Sequence, residues 1–472
     1  MDDTSYDVRI WRKFEVYKGK RKTTHTVRWS VGGKRFREPH ATAALADAFR
    51  SDLVNATNNG EAFRLSTGRP VSWAQEEDAV PTWFAFVCSY VDEHWRATSA
   101  KHRQDRARIL TDATEALWSS EAGKPDSDLL RLALQRHAFN TAHRSSQRSA
   151  DLDQALQWAA THTVPMDALM HPPTMRAVLT RITSKKDGTR TAPSSAVKAK
   201  RVLSHVLDYA VECGHLPSNP IALVKWSTPV TNSQVDRHAV PNPAQARALI
   251  DVIAGRQPSG PRLEAFFSTL FLAALRPEEA VNLTWADVVL PSLKGEEETE
   301  RWEEPDAGED WGEIIVREVA PDVGRRWTDS GYHRDRRQPK GRPEGATRTV
   351  PSPPRLTRIL RRHRQEFGDG PGGLVFFGVR GRQLDTGVYQ RAWDRARSQA
   401  LTADQQKTPL ARRPYDLRHA CVSLWLNQAT NPAQVAEWAG HSVHMLLKVY
   451  ARCIDGRAEV DKRQAAKGFD GF

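Results

Sequence analysis

Cysteine is scarce: the 472 residues hold four, Cys88, Cys213, Cys421 and Cys453. None sit at the short spacings of a zinc site, and the wide separations give no disulfide framework. They are expected to be buried, reduced thiols. No apolar run approaches the roughly 18 residues of a membrane-spanning helix. The opening MDDTSYDVRI is acidic and then alternating, unlike a secretory signal, so a cytosolic protein is expected. Also missing are an acidic cluster at metal-ligand spacing and a Gly-rich phosphate-binding loop. Neither a metal nor a nucleotide cofactor is therefore implied.

Hydrophobic residues make up only 39% of the chain, although 15 Trp and 15 Phe suffice for several cores. What is in excess is positive charge, 69 Lys and Arg against 57 Asp and Glu, a net +12. A basic balance favours polyanions, since each phosphate neutralised releases bound counterions. On charge alone, a basic protein with no such partner reads equally well.

A chain of this length is expected to divide into two to four domains of about 100–200 residues each. Tyr6, Val8 and Ile10 alternate with polar residues, as do Val27, Trp29 and Val31, and Gly32-Gly33 marks a hairpin. Ala44, Leu45, Ala48, Phe49 and Leu53 then recur at helical spacing. A small sheet followed by a helix is expected over residues 1–65. Arg12, Lys20, Arg21, Arg28 and Arg35 stud that sheet, either as a solvated face or as a DNA-contacting one.

Residues 56–80, rich in Asn, Gly, Ser and Pro, read as a linker. An all-helical domain is expected over 80–226, with Lys198 and Arg201 near the start of its last helix, which Gly214 stops. Residues 118–192 carry no clear pattern. A second linker runs through 227–241.

From Asn242, which can cap a helix with Pro243 at its first position, a mostly helical domain is expected over 240–460. Its helices fall at 262–274, 354–367, 386–400, 417–428, 432–439 and 443–452. Ile314-Ile315-Val316 reads as a short strand, and the acidic run from Glu296 to Asp310 before it reads as a surface loop.

Three stretches of this last domain carry chemistry. In AALRPEEAVNLTWADV, Arg276 precedes a helix begun by Pro277, with Glu278 and Glu279 in its first turn. Acids there answer the helix dipole without any further role. In RPYDLRHACVSLWL, Asp416 reads as an N-cap, and Tyr415, Arg418 and His419 crowd the helix start. Arginine is electrostatically disfavoured there, which points to a bound anion. In NPAQVAEWAGHSVHMLLKVYARC, Gly440 ends a helix, His441 projects from the turn, Ser442 can cap the next helix, and Tyr450 follows His441 by nine residues.

Together these stretches resemble the catalytic domain of the tyrosine recombinase (phage integrase) family. That family shows an Arg in G-L-R-x-x-E, then H-x-x-R, then G-H, then a Tyr nine residues on. Arg276 with Glu279, Arg418, Gly440-His441 and Tyr450 occupy those positions in order. The likeness to integrases of actinomycete-type integrative elements and phages extends through YDVRIW, VRWSVGG, EAFRLSTG, AEWAGHSV and RRPYDLRHA. Two departures stand out. Ala274 takes the place of the Gly, and Tyr415 replaces the first His of H-x-x-R. A phenol can donate one hydrogen bond but cannot become an imidazolium.

The resemblance implies a multidomain architecture with an arm-site-binding N-terminal module, a SAM-like core-binding helical domain and a mostly α catalytic domain with a small β-hairpin sheet. It implies a site-specific recombinase forming a 3′-phosphotyrosine through Tyr450, with Arg276 and Arg418 on the phosphate and His441 and Tyr415 adding hydrogen bonds. Glu279 and His419 support them. A hairpin Lys protonates the leaving oxygen, and Lys340 in RRQPKGRPEGATRTVPSPP fits that place, with Gly341 to Gly345 as the turn and Thr347-Arg348-Thr349-Val350 as the return strand. The implied partners are duplex DNA at core and arm sites, three further copies of the chain, and an excisionase or host DNA-bending protein, all in a bacterial cytoplasm. A type IB topoisomerase or telomere resolvase shares the motifs, and a non-catalytic DNA-binding relative would suit Tyr415.

Overall fold

The computed structural model describes residues 4–13, 15–18, 23–73, 80–227, 229–230, 234–291, 311–338, 345–428 and 431–450. At the N-terminal end, strand Thr23–Val31 is central to an antiparallel sheet. Strands Val8–Ile10 and Glu15–Lys18 share one of its edges, and Lys34–His40 takes the other. The period-two pattern works as expected: Val27, Trp29 and Val31 are buried, and Arg28 between them is exposed. The hairpin turns on Gly32 and Gly33, both at positive φ (53° and 80°), a turn whose twist matches the strands. Helix Ala43–Asn58, capped by the Thr42 hydroxyl, lays Ala46, Leu53 and Ala56 on the sheet's inner face.

The expected linker at 56–80 is in part structural. Phe63–Arg64 pairs with Thr4–Ser5, Phe63 is fully buried, and Trp73 packs edge-on against Phe49 at 5.4 Å. A core this small gains more from two extra aromatic side chains than the chain loses by ordering them.

The helical region comprises Trp83–Glu93, Ala100–Thr114, Ser127–Ala133, Ala150–His162, Pro172–Ile182 and Pro193–Glu212 around one core. The stretch without a clear pattern, 118–192, is therefore mostly helix, interrupted by a π-turn at Leu134–Ala138. Gly214, at φ 75°, stops the last helix as expected. Cys88 is half-buried and Cys421 buried, but Cys213 at the helix end is exposed, against expectation; Cys453 lies outside the described residues.

The remaining region opens with helix Pro243–Ala254, closed by a reciprocal capping box between Asn242 and Gln245. Helix Gly260–Leu272 follows, then the short Pro277–Ala280. A three-stranded antiparallel sheet joins Val288–Val289, Gly312–Val316 and Arg348–Ser352, with Ile314 opposite Val350 and Val316 opposite Arg348. Helices Pro354–Phe367, Thr386–Ala400, Tyr415–Asn427, Pro432–Ala439 and Val443–Tyr450 complete it. Asp416 is not the N-cap. The helix begins at Tyr415, two residues earlier than expected, with Pro414 before it, and the Asp416 carboxylate accepts from the Arg413 backbone N–H at 2.9 Å. The acidic run at 296–310 lies outside the described residues.

Two features tie the halves together. Val323 and Trp327, from the stretch between the second and third strands, are buried in the core of the helical region. There Arg103, itself buried, lies over the Trp95 ring and donates to the Trp327 carbonyl at 3.0 Å and to both Asp329 oxygens at 2.7 and 3.0 Å. The expected second linker is also docked. The Val235 N–H bonds the Val449 carbonyl at 2.8 Å, and Val235 and Val240 pack against the cluster that includes Tyr450.

Candidate active site

The site is assembled from chain breaks and helix ends. Helix Gly260–Leu272 gives way to Ala274, which is fully buried with φ at 49°. A side-chain-bearing residue pays about 1–2 kcal/mol for that conformation. The twist aims the Ala274 carbonyl at Nη1 of Arg418, which donates to it. Two residues on, Arg276 stands at the start of Pro277–Ala280. Its backbone N–H and Nη1 donate to the two oxygens of Glu279 at 2.7 and 2.6 Å.

Tyr415, Arg418 and His419 fall at i, i+3 and i+4 of one helix and so share a face. Gly440 ends helix Pro432–Ala439 in the left-handed conformation (φ 64°), and a Cβ there would strike the Arg348 guanidinium. The turn presents its own carbonyl to Arg276 Nη2 at 3.4 Å and places His441 Nε2 3.3 Å from Arg418 Nη2.

Glu279 is the electrostatic centre. Its buried carboxylate takes a two-pronged bond from Arg348 at 2.9 and 2.8 Å, besides Arg276, with Arg418 at 3.8 Å. Burial pushes the carboxyl up, but Arg348, Arg276 and Arg418 outweigh it and hold Glu279 well below the usual carboxylate range. For Arg276 burial works downward, while Glu279 and Tyr415 more than offset it and raise its pKa. Arg418 is lowered by burial and by neighbouring Arg276.

Three guanidiniums thus face one carboxylate, an excess of positive charge in a low-dielectric place. Nε of Arg418, Nε of Arg348 and Nδ1 of His441 are buried there with no hydrogen-bond partner. Unsatisfied buried donors of one sign fit an anion. His441 is pushed down to about 3, by burial and then by Arg418, Arg276 and Arg348. It is neutral at pH 7, and because the guanidinium donates to Nε2, the ring proton belongs on Nδ1.

Tyr450 closes the pocket. The residue is fully buried in a cluster with Ala274, Cys421, Val435 and Leu446. Its hydroxyl is 2.9 Å from Nδ1 of His419, and its ring centroid is 6.3 Å from that of His441. His419 is pushed down to about 4 by burial, then by Arg413 and Arg418, and stands edge-on to the Tyr415 ring at 4.9 Å.

Of the residues expected from the sequence, Arg276, Glu279, Tyr415, Arg418, His419, His441 and Tyr450 come together. Lys340 lies outside the described residues, as do Lys20 and Arg21. Arg12, Arg28 and Arg35 are exposed in the N-terminal sheet module. Lys198, ion-paired with Asp105, and Arg201 are exposed on helix Pro193–Glu212. From the sequence Arg348 stands out only as part of a strand. Its one sequence signal is a charged residue beginning a strand whose alternate positions are buried. Among the described residues no group of three His, Cys, Asp or Glu side chains is placed to hold a metal ion, and no helix is long and apolar enough to cross a membrane.

No family model and no curated protein matches the sequence. Solved structures are similar to it. The Tn1549 transposon integrase, in complex with transposon right end DNA, has a TM-score of 0.46 at 16% identity, over 73% of this chain and 99% of that one. A lambda integrase dimer bound to a COC′ core site scores 0.44 at 13% identity, over 94% and 95%. XerH site-specific recombinase bound to its difH substrate scores 0.41 at 12%, over 79% and 97%. These integrases and recombinases are of the family that the motifs resemble. At such scores the likeness is loose, and the functional reading rests on the site's own geometry.

Proposed function

We propose that the chain is a site-specific DNA recombinase, an integrase of the tyrosine class, that cuts and rejoins duplex DNA through a 3′-phosphotyrosine at Tyr450. The observation that supports this best is the convergence of Arg276, Arg418, His441 and Tyr450, from three separate stretches, around buried cations in excess of their one carboxylate. Phosphodiester cleavage needs those parts: an in-line nucleophile, cations on the non-bridging oxygens and a proton for the leaving 5′ oxygen.

In this reading the Tyr450 oxygen forms the new bond to phosphorus while the bond to the 5′ oxygen breaks. Arg276 and Arg418 grip the phosphate with planar, two-pronged donors that an ammonium cannot match. Loss of one such preorganised donor costs about 10²–10³ in rate. His441 and Tyr415 donate further hydrogen bonds, and Lys340 protonates the leaving 5′ oxygen. Glu279 does not reach DNA: with Arg348 bonded to it, it holds Arg276 and Arg418 in place. Since Tyr450 and Arg418 are closed off from solvent, the segments around them part to admit DNA. The phosphotyrosine conserves the energy of the broken bond, so rejoining needs no nucleotide.

The helical region, with Lys198 and Arg201, and the catalytic region take the core site between them as a SAM-like core-binding domain and its partner. The outer face of the N-terminal sheet, where Arg28 lies opposite Arg37 and Ser30 opposite Arg35, takes a separate arm site. Four copies act on two duplexes in a bacterial cytoplasm, with an excisionase or DNA-bending protein setting direction. Tyr415, in place of an imidazole, favours a second reading, a DNA-binding relative without catalysis.

One experiment separates the two. The wild-type protein selects its site from a pool of random duplexes, and a nicked duplex carrying that site is then offered to wild type and Tyr450→Phe. Wild type accumulates a covalent protein–DNA adduct and the variant none. Adduct from Tyr450→Phe refutes the nucleophile, and tight binding by wild type without any adduct establishes the second reading. Relaxation of supercoiled plasmid lacking the site would indicate a topoisomerase instead.

A further inference from the structure

The hydroxyl of a tyrosine keeps its proton at neutral pH, with an ordinary pKa of about 10, so an attacking Tyr450 has to lose that proton as it bonds to phosphorus. Tyr415, at the helix start where the family resemblance places an imidazole, is a phenol and cannot accept a proton as an imidazole does. One turn further along the same face stands His419, and its Nδ1 is 2.9 Å from the Tyr450 oxygen. His441, the other imidazole of the site, has its Nε2 engaged by Arg418. We propose that His419 is a catalytic residue, the base that takes the phenolic proton of Tyr450. This rests on the reading of Tyr450 as the nucleophile.

The step balances without any further reagent. As the phenolic O–H breaks, its electron pair stays on oxygen and forms the bond to phosphorus, and the proton moves to Nδ1. The phosphorus–5′-oxygen bond breaks, and that oxygen takes its proton from the acid assigned to Lys340. In rejoining, the His419 imidazolium returns the proton to the phenol. Nδ1 accepts in this arrangement, so Nε2 carries the ring hydrogen in the resting state.

The groups facing His419 explain why the base waits for DNA. Arg413 and Arg418 both disfavour an imidazolium, and Tyr415 packs edge-on beside it. A phosphate seated against Arg418 offsets that guanidinium, and the imidazole becomes a better proton acceptor once substrate is in place. His419 is fixed by its helix, while Tyr450 rides on a separate one, so the pair forms when helix Val443–Tyr450 is docked.

The test is single-turnover cleavage of the nicked duplex described above, with protein saturating, for wild type, His419→Asn and His419→Gln. Asn presents a polar group where Nδ1 was, and Gln one atom further out, but neither takes a proton. DNA affinity by anisotropy and the melting curve are expected to match wild type. Cleavage is expected to fall by about 10²–10⁴ in both variants, the usual contribution of a general base.

Incorporating 3,5-difluorotyrosine at position 450 lowers the phenol's pKa and lessens the need for a base. It is expected to restore at least about tenfold of the rate in His419→Asn while changing wild type little. Cleavage by either variant within about threefold of wild type assigns His419 a merely structural place and overturns the proposal. Faster cleavage also overturns it, by showing that the contact only restrains Tyr450, as does a difluorotyrosine variant with no recovery. If wild type makes no adduct, or Tyr450→Phe makes one, the recombinase reading fails instead. Should His419→Asn melt early, His419→Gln carries the comparison.

Discussion

Replacing Glu279 with Gln removes one charge and leaves the shape nearly unchanged, so its effect can be worked out from the contacts. The carboxylate accepts four hydrogen bonds between 2.6 and 2.9 Å, two from Arg348 and two from Arg276. The Arg348 and Arg418 side chains are only 2% and 0% exposed, so water cannot take over from the lost charge. An amide also has to turn its NH2 toward one of these donors, leaving two donors face to face. Breaking a buried ion pair by removing one partner costs roughly 3–5 kcal/mol, and that is the expected loss.

The sign with pH follows from the same contacts. A carboxylate held below its ordinary value near 4.5 contributes stability that is present above that value and lost as the pH falls below it. The variant lacks this contribution, so its stability falls less than wild type's on acidification below about 4.5. Urea unfolding followed by far-UV circular dichroism, at pH 7 and at two lower pH values, measures both effects. In the double variant with Arg348→Met, part of the loss is expected to return, because the stranded cation is gone. If Glu279→Gln lies within about 1 kcal/mol of wild type at pH 7, the carboxylate does not hold the cluster together and the electrostatic account is wrong.

Other perturbations have equally definite outcomes. His363 is pushed down to about 4 by burial, and His419 and His441 to about 4 and 3, so all three are neutral when folded. Their contribution is fully present above the unfolded value near 6.5 and is lost as the pH falls toward the folded values. Stability is therefore expected to drop between about pH 6.5 and 4, less steeply in His363→Gln; equal slopes in the same urea titration would contradict this. Gly440→Ala forces a left-handed conformation on a residue with a Cβ and drives that carbon into Arg348, for a loss of at least about 1–2 kcal/mol by urea midpoint. A neutral result there would show that the turn can rebuild. Arg28→Gln with Arg35→Gln is expected to lower the salt slope of arm-duplex binding by roughly 0.9 per arginine and to leave cleavage of a short core duplex unchanged; an unaltered slope removes both residues from the DNA face.

Much of this was legible because local chemistry decided it. Asn242 before Pro243, Gly32-Gly33 and Gly214 each fix a cap or turn within a few residues, and each stands where the pattern put it. The motif residues could be found because helix ends hold them: Arg276 before Pro277, His441 after Gly440 and Arg418 in a first turn. What was not legible depends on distance along the chain. Arg348 meets Glu279 across 69 residues through the register of a sheet, and His419 meets Tyr450 across 31. No periodicity encodes such pairs. Residues 118–192 hid their helices because a π-turn and short segments break the 3.6-residue repeat. The linker reading of 56–80 missed Phe63 and Trp73, because composition outweighed two side chains that complete a small core. Asp416 looked like a cap and is instead a first-turn acid that grips the residue before the helix.

The placement of Trp327 has a practical side for anyone dividing this protein. A cut in the 227–241 stretch looks natural, yet it would leave the helical bundle with a hole where an indole and Val323 belong, and Arg103 without its Asp329 carboxylate. The other fragment would carry that indole into water on an unsupported stretch of chain. Fragments made at this boundary are thus prone to stick to one another, and they would rebuild the native contact in trans only when mixed.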